Sequence, residues 1–114
     1  MPDWPRPISA PEAAIVSLLL AEAAMEGSAL ATVSSLRVVD GCRCGCASVE
    51  FEATFRRTVI AEATGHTTHG EAVQIFLWGS PYRVTGLEII GHSQTVSGLP
   101  AVENVVVHRR ASPT

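Results

Sequence analysis

The chain has no lysine. Its eight basic residues are all arginines, set against eleven acidic ones, so 114 residues carry a formal net charge of −3. A nucleic-acid binder needs a basic face to neutralise phosphates. Here Arg56-Arg57 and Arg109-Arg110 are the only adjacent basic pairs and read as solvated surface, so nucleic acid is set aside as a partner. A long apolar run is also missing. The best one, Ile15 to Ala24, is bracketed by Glu12 and Glu22, and the single Arg6 ahead of it is opposed by Asp3. That is too short and too interrupted for a span of about 20 residues, and poorly flanked for a secretion signal, so no membrane partner is expected. Charged residues are scarce at 17% beside 46% hydrophobic ones, which excludes a disordered chain. Cysteines number three, an odd count that a disulfide framework would not use up. Reduced thiols and a cytoplasmic location are the expectation. No phosphate loop, dinucleotide fingerprint or nucleophile elbow is present, and there are no repeats.

What remains is one domain's worth of apolar sequence. Residues 1–8 hold Pro2, Pro5 and Pro7 and read as an irregular lead-in, with Trp4 a candidate to dock on the body. Ser9 can cap a helix, Glu12 stands three residues on in the capping-box position, and Pro11 is tolerated in a first turn. This helix is expected to run to Met25 or Glu26 and stop at Gly27. Its apolar surface is wide, with Ile15, Leu18 and Leu19 extended by Ala13, Val16, Leu20 and Ala24. Such a helix is buried on much of its circumference or shared with a second copy. A homodimer through this helix or through the sheet is the expected partner state.

Ser28 to Ser35 reads as a short second helical segment, and Leu36 to Asp40 as a first strand. Ala47 to Phe55 alternates, with Val49, Phe51, Ala53 and Phe55 on one face and Ser48, Glu50, Glu52 and Thr54 on the other, as in a half-buried antiparallel strand. Thr58 to Ala63 reads as a short strand or an edge, and Thr64 to Gly70 as a loop. Ala72 to Trp78 is a strongly apolar strand. It turns through Gly79-Ser80-Pro81-Tyr82 into Arg83 to Ile90, a hairpin. Val102 to Val107 is β-branched and reads as a last strand. The fold expected is α+β: an N-terminal helix and a short second helix on an antiparallel sheet of four or five strands. The domain covers residues 9–107, and 108–114 form a loose tail.

All three cysteines sit in Gly41-Cys42-Arg43-Cys44-Gly45-Cys46, between two strands, as the turn of a hairpin. Three readings apply. Reduced cysteines pack as small hydrophobes and can fill a cramped turn. Alternatively, Cys42, Cys44 and Cys46 are soft ligands suited to zinc, with a fourth ligand from His66 or His69, spaced H-x-x-H. The spacing is not the paired C-x₂₋₄-C of standard structural zinc sites. Thirdly, a thiol near Arg43 could sense redox state or join a reversible disulfide, for which Cys42–Cys46 is easier geometry than Cys42–Cys44.

The stretch Leu36 to Val49 resembles a group of small bacterial proteins with a strand, a C-x-C-G-C turn and a second strand. The resemblance extends over roughly residues 27–103: a preceding helix, the Gly27-Ser28-Ala29-Leu30 segment, Ala61-Glu62-Ala63, Leu87-Glu88-Ile89 and Leu99-Pro100. Ala47 departs from it, where proline is commoner. The group has no established activity, so the resemblance implies an architecture and carries no catalytic residue across.

Other constellations are weaker. Glu50 and Glu52 read as a solvated strand face rather than a paired-carboxylate centre. His66, His69, His92 and Glu62 are available for nucleophilic catalysis with a cysteine, but nothing places them beside one. Trp78 and Tyr82 flank the main hairpin turn as core packing or as a contact surface. The function expected is a small non-enzymatic binding or interaction domain without a cofactor. A zinc-type module at Cys42, Cys44 and Cys46 is the alternative, and a thiol redox protein the second alternative.

Overall fold

The structure, a computed structural model, describes residues 4–22, 32–41, 47–52, 58–80, 83–91 and 98–109. Among the described residues it is an α+β fold with one α-helix and antiparallel sheets.

The helix begins where the sequence places its cap. Ahead of it, Arg6–Pro7 forms a two-residue strand, β1. Helix α1 then spans Ala10–Glu22. The Glu12 N–H donates to Ser9 Oγ (3.3 Å) and the Ser9 N–H donates back to Glu12 Oε1 (2.9 Å), so two N–H groups at the helix start find partners in a capping box. Arg6 grips the same carboxylate with both terminal nitrogens, Nη1 to Oε1 at 3.0 Å and Nη2 to Oε2 at 2.7 Å. Glu12 is 4% exposed. Burial would push its carboxyl up. Hydrogen bonds from the Arg6 guanidinium, the Ser9 backbone N–H and the Ser9 side chain, with the charge of Arg6, outweigh burial and hold it below the ordinary glutamate value.

Glu12, Ile15, Val16, Leu19 and Leu20 make one buried stripe at helical spacing. Leu18 and Ala13 pack partly against the same core. No residue of α1 is among the exposed large hydrophobics. Within the described residues, the apolar surface of α1 is thus turned largely toward the core of its own chain.

A single 3₁₀ turn covers Val33–Ser35. The expected second helix, 28–35, is reduced to this turn in its described part; residues 28–31 lie outside the described residues. The next segment divides between two sheets. Strand β2 (Arg37–Val38) pairs with β1, joining Arg6 to Val38 and Pro7 to Arg37. The expected irregular lead-in is thus an edge strand, a place where proline is tolerated. Strand β3 (Asp40–Gly41) pairs instead with β4 (Val49–Glu50), as Asp40↔Glu50 and Gly41↔Val49. Trp4 packs against the core and closes over Gly41, where an added Cβ would run into its indole ring.

The main sheet continues with β5 (Thr58–His66), β6 (Ala72–Ser80) and β7 (Arg83–Gly91). A second 3₁₀ turn, Val102–Asn104, leads into β8 (Val106–Arg109). Among the described residues the strand order is β3-β4-β7-β6-β5-β8, six strands rather than four or five, beside the two-stranded β1-β2 sheet. The segment expected as a short edge strand from Thr58 is nine residues long and paired on both sides, by β6 and β8. It takes in part of the expected loop from Thr64, because Thr64 and His66 are the polar half of a continuing alternation. The tail expected from His108 starts too early, since His108 and Arg109 belong to β8.

Alternation sets the two faces of the sheet. Ala61 and Ala63 of β5, Val73, Ile75 and Leu77 of β6, and Leu87 and Ile89 of β7 are buried with the α1 stripe in one core. Gly79 ends the regular β6–β7 register at an irregularity after Trp78. Its φ is +153°, and a Cβ there would strike the Arg83 carbonyl oxygen, so only glycine fits without strain.

Candidate interaction surface

The opposite face of the sheet is built by register into a grid. In one row, Glu62 of β5 is the Cα partner of Phe76 of β6, which is the partner of Glu88 of β7. In the next row, Trp78 opposes Gly86, and Gly86 opposes Glu50 of β4. In a third, Thr64 opposes Gln74 and Gln74 opposes Ile90. Strands lie about 4.8 Å apart and same-face residues on one strand about 6.8 Å apart. Phe76 and Trp78 are thus neighbours, and Glu62 and Glu88 straddle Phe76 with their backbones about 10 Å apart.

Phe76, Trp78, Glu50, Glu62 and Glu88 are all half-buried, and Gln74 is exposed. Ile90 is 39% exposed, and Val106, the β8 partner of Thr64, is 57% exposed. Apolar side chains therefore remain in water on this side. The Trp78 indole Nε1 donates to Glu88 Oε1 at 3.0 Å. Gly86, opposite Trp78, contributes no side chain to block the diagonal reach from Trp78 to Glu88. At the β8 margin, Thr64 Oγ1 and His108 Nε2 are hydrogen-bonded at 2.7 Å.

Of the sequence-derived candidates, Trp78, Glu50 and Glu62 stand in this grid. Cys42, Cys44 and Cys46 lie outside the described residues, as do His92 and Tyr82. What is described is the frame of their segment. Gly41 and Val49 pair, so the connection 42–48 closes a β3–β4 hairpin. Its exit is pinned by Ser48, whose Oγ accepts from the Ile89 N–H (2.8 Å) and donates to the Ile89 carbonyl (3.3 Å). This side chain continues the β4–β7 pairing beyond the backbone ladder.

His66 ends β5, and His69 lies in the tight turn that follows; both are exposed. Thr67 organises that turn: its Oγ1 accepts from the N–H groups of His69 (3.3 Å) and Glu71 (3.2 Å) and donates to Glu71 Oε1 (3.2 Å). The His66 N–H donates to Asn104 Oδ1 at 3.1 Å. By strand direction this turn and the paired residues Gly41 and Val49 lie toward one end of the sheet. Strands β7 and β6 stand between them, so β4 and β5 are about 14 Å apart laterally. Among the described residues no group of three or more His, Cys, Asp or Glu side chains gathers as a metal site.

Of the carboxylates weighed as a pair, Glu52 accepts from Arg83 Nε at 2.6 Å on the surface, and Glu50 stands in the grid. The Glu62–Phe76–Glu88 row escaped the sequence reading. Phe76 and Trp78 count as apolar, so Ala72 to Trp78 reads as uniformly buried. The missed signal was Gln74 in phase with them.

Fold and surface together define an α+β protein with one face of its sheet covered by a helix and the other, among the described residues, covered by no further element. Among the described residues no helix is long and apolar enough to cross a membrane. No family model matches the chain, and no curated protein or solved structure matches it.

Proposed function

We propose that the chain is a small non-enzymatic binding domain whose recognition surface is the open face of the main sheet. One observation carries this reading: two adjacent aromatic side chains, Phe76 and Trp78, lie half-buried on a face that also leaves Ile90 and Val106 in water. Aromatic residues are enriched at interfaces because they bury large area at little conformational cost. The indole hydrogen bond to Glu88 fixes the orientation of Trp78 and makes it a rigid anchor.

The test is a titration of ¹⁵N-labelled protein with short peptides of cationic, anionic and neutral composition. The expected result is that at least one of them moves the Trp78 indole N–H resonance and the Phe76 and Glu88 amides, and that Trp78→Ala abolishes binding. If every peptide leaves these resonances in place, the reading fails.

A second reading is a zinc-type module through Cys42, Cys44 and Cys46. The Gly41↔Val49 pairing favours it, because all three cysteines fall in the short stretch of sequence between two paired residues. The lateral separation of β4 from β5 requires that stretch to cross two strands if His66 or His69 is to complete the set. Elemental analysis of protein purified without a metal-affinity tag tests it. Zinc near one equivalent supports it, and metal-free protein with three titratable thiols removes it.

A further inference from the structure

We infer that the open face receives an arginine-bearing segment of another protein, laid across Phe76 and Trp78 and held by Glu62 and Glu88; this rests on the binding-surface reading above. The argument is charge complementarity around an aromatic floor. Glu62 and Glu88 stand on either side of Phe76 in one row, and Glu50 adds a third carboxylate in the row of Trp78. Among the described residues, this face carries the carboxylates of Glu50, Glu62 and Glu88, in a chain of net charge −3.

The alternatives are each disfavoured by the same groups. A wholly apolar partner would strip water from Glu62 and Glu88 and offer them nothing in return. A second copy docked face to face would set like charges against like, because a two-fold contact places the same patch on both sides. Nucleic acid would bring phosphates to carboxylates. A cation gains from both components of the surface. It is attracted to the faces of Phe76 and Trp78 and pairs with carboxylates already held in place. Glu88 is fixed through Oε1 by the indole N–H, which lowers the ordering cost of a contact to it. Among cationic side chains, arginine fits best. Its flat guanidinium stacks on an aromatic ring and bonds a carboxylate through two N–H groups at once, which an ammonium cannot do.

The experiment uses the full ¹⁵N-labelled chain and four probes: a capped Gly-Arg-Gly-Arg-Gly peptide, the same peptide with Glu or with Leu in place of Arg, and agmatine as a small guanidinium compound. The expected result is that the arginine peptide shifts the Trp78 indole N–H and the Phe76 and Glu88 amides. Added salt should weaken its binding, as for any exposed charge contact. The double variant E62Q/E88Q should bind it about tenfold more weakly, the loss expected for charge-assisted contacts. The salt series on unaltered protein keeps the inference open to refutation should that variant fold poorly. If the Glu or Leu peptide moves the same resonances as tightly, the inference falls while the binding-surface reading stands. If agmatine binds as tightly as the peptide, the partner is a small molecule and the inference falls. If no probe moves them, both fall.

Discussion

The two faces of the main sheet are made from the same strands and differ only in which alternate residues they present. On the covered face, Ile75 and Leu77 of β6 are 0% exposed and join Leu19 and Leu20 of α1 in one core. One residue along, Gln74 and Phe76 point the other way, into or near water. A one-residue slip would exchange these sets, so the pattern that pins the register also separates the stabilising face from the one proposed for recognition. The sharpest way to break the comparison is to cut one side chain on each face. Leu77→Ala removes a fully buried side chain and should cost about 2–5 kcal/mol. Gln74→Ala, three residues away on the open face, should stay within about 0.5 kcal/mol. Urea midpoints of the two variants check this, and equal losses would mean the open face is covered.

The next effect concerns where the alternation stops. Gly79→Ala introduces a Cβ at φ +153° against the Arg83 carbonyl. A residue forced into such a conformation costs about 1–3 kcal/mol. Stability should fall by that amount in denaturant, with the largest amide shifts at Trp78 and Val84, the two sides of the register irregularity. The sequence showed a hairpin here because Gly79 and Pro81 punctuate it. It did not show the bulge, since the need for a positive φ appears only once β6 and β7 are paired.

The same divide between local and tertiary signals runs through the whole chain. The start of α1 was legible from Ser9 and Glu12, because a capping box is local chemistry. The long β5 was not legible. Thr64, Gly65 and His66 carry loop composition, and what makes them strand is pairing to Gln74, Val73 and Ala72. The division of residues 37–41 between two sheets depends on β1, a segment whose prolines argue against any strand at all. The cysteine segment was recognised as a hairpin connection from its flanking strands, and the Asp40–Gly41 pairing with Val49–Glu50 agrees. The candidate surface was half visible: Trp78 was singled out, but its partners Glu62, Phe76 and Glu88 come from three strands that only the fold assembles.

A smaller effect tests the polar anchor beneath the helix. Glu12 is held below the ordinary glutamate value, so its ionised form is bound more favourably in the folded chain than in the unfolded one. Its contribution is full above the unfolded-state value of about 4.3 and is lost as pH falls through the lower folded value. Glu12→Gln keeps a side chain able to complete the capping box but removes the charge facing Arg6. About 1 kcal/mol should be lost at pH 7, the difference between charged and neutral hydrogen bonds. The variant should also lose less stability than the parent on acidification below about pH 4.5. Denaturation midpoints at pH 7 and pH 3 measure both, and parallel pH curves would show that Glu12 is not the group responsible.

The smallest effect returns to the open face. Glu88→Gln replaces the acceptor of the Trp78 indole bond with an amide oxygen that can still accept it. At a half-buried position away from the core, stability should change by less than about 0.5 kcal/mol. The Trp78 indole N–H resonance, however, should move, because its partner has changed from a charged to a neutral oxygen. Stability held while the indole signal shifts is the behaviour of a surface whose polar groups serve contact with something outside the chain. A loss as large as that of Leu77→Ala would instead assign the Trp78–Glu88 bond to holding the fold, and the functional contrast between the two faces would disappear.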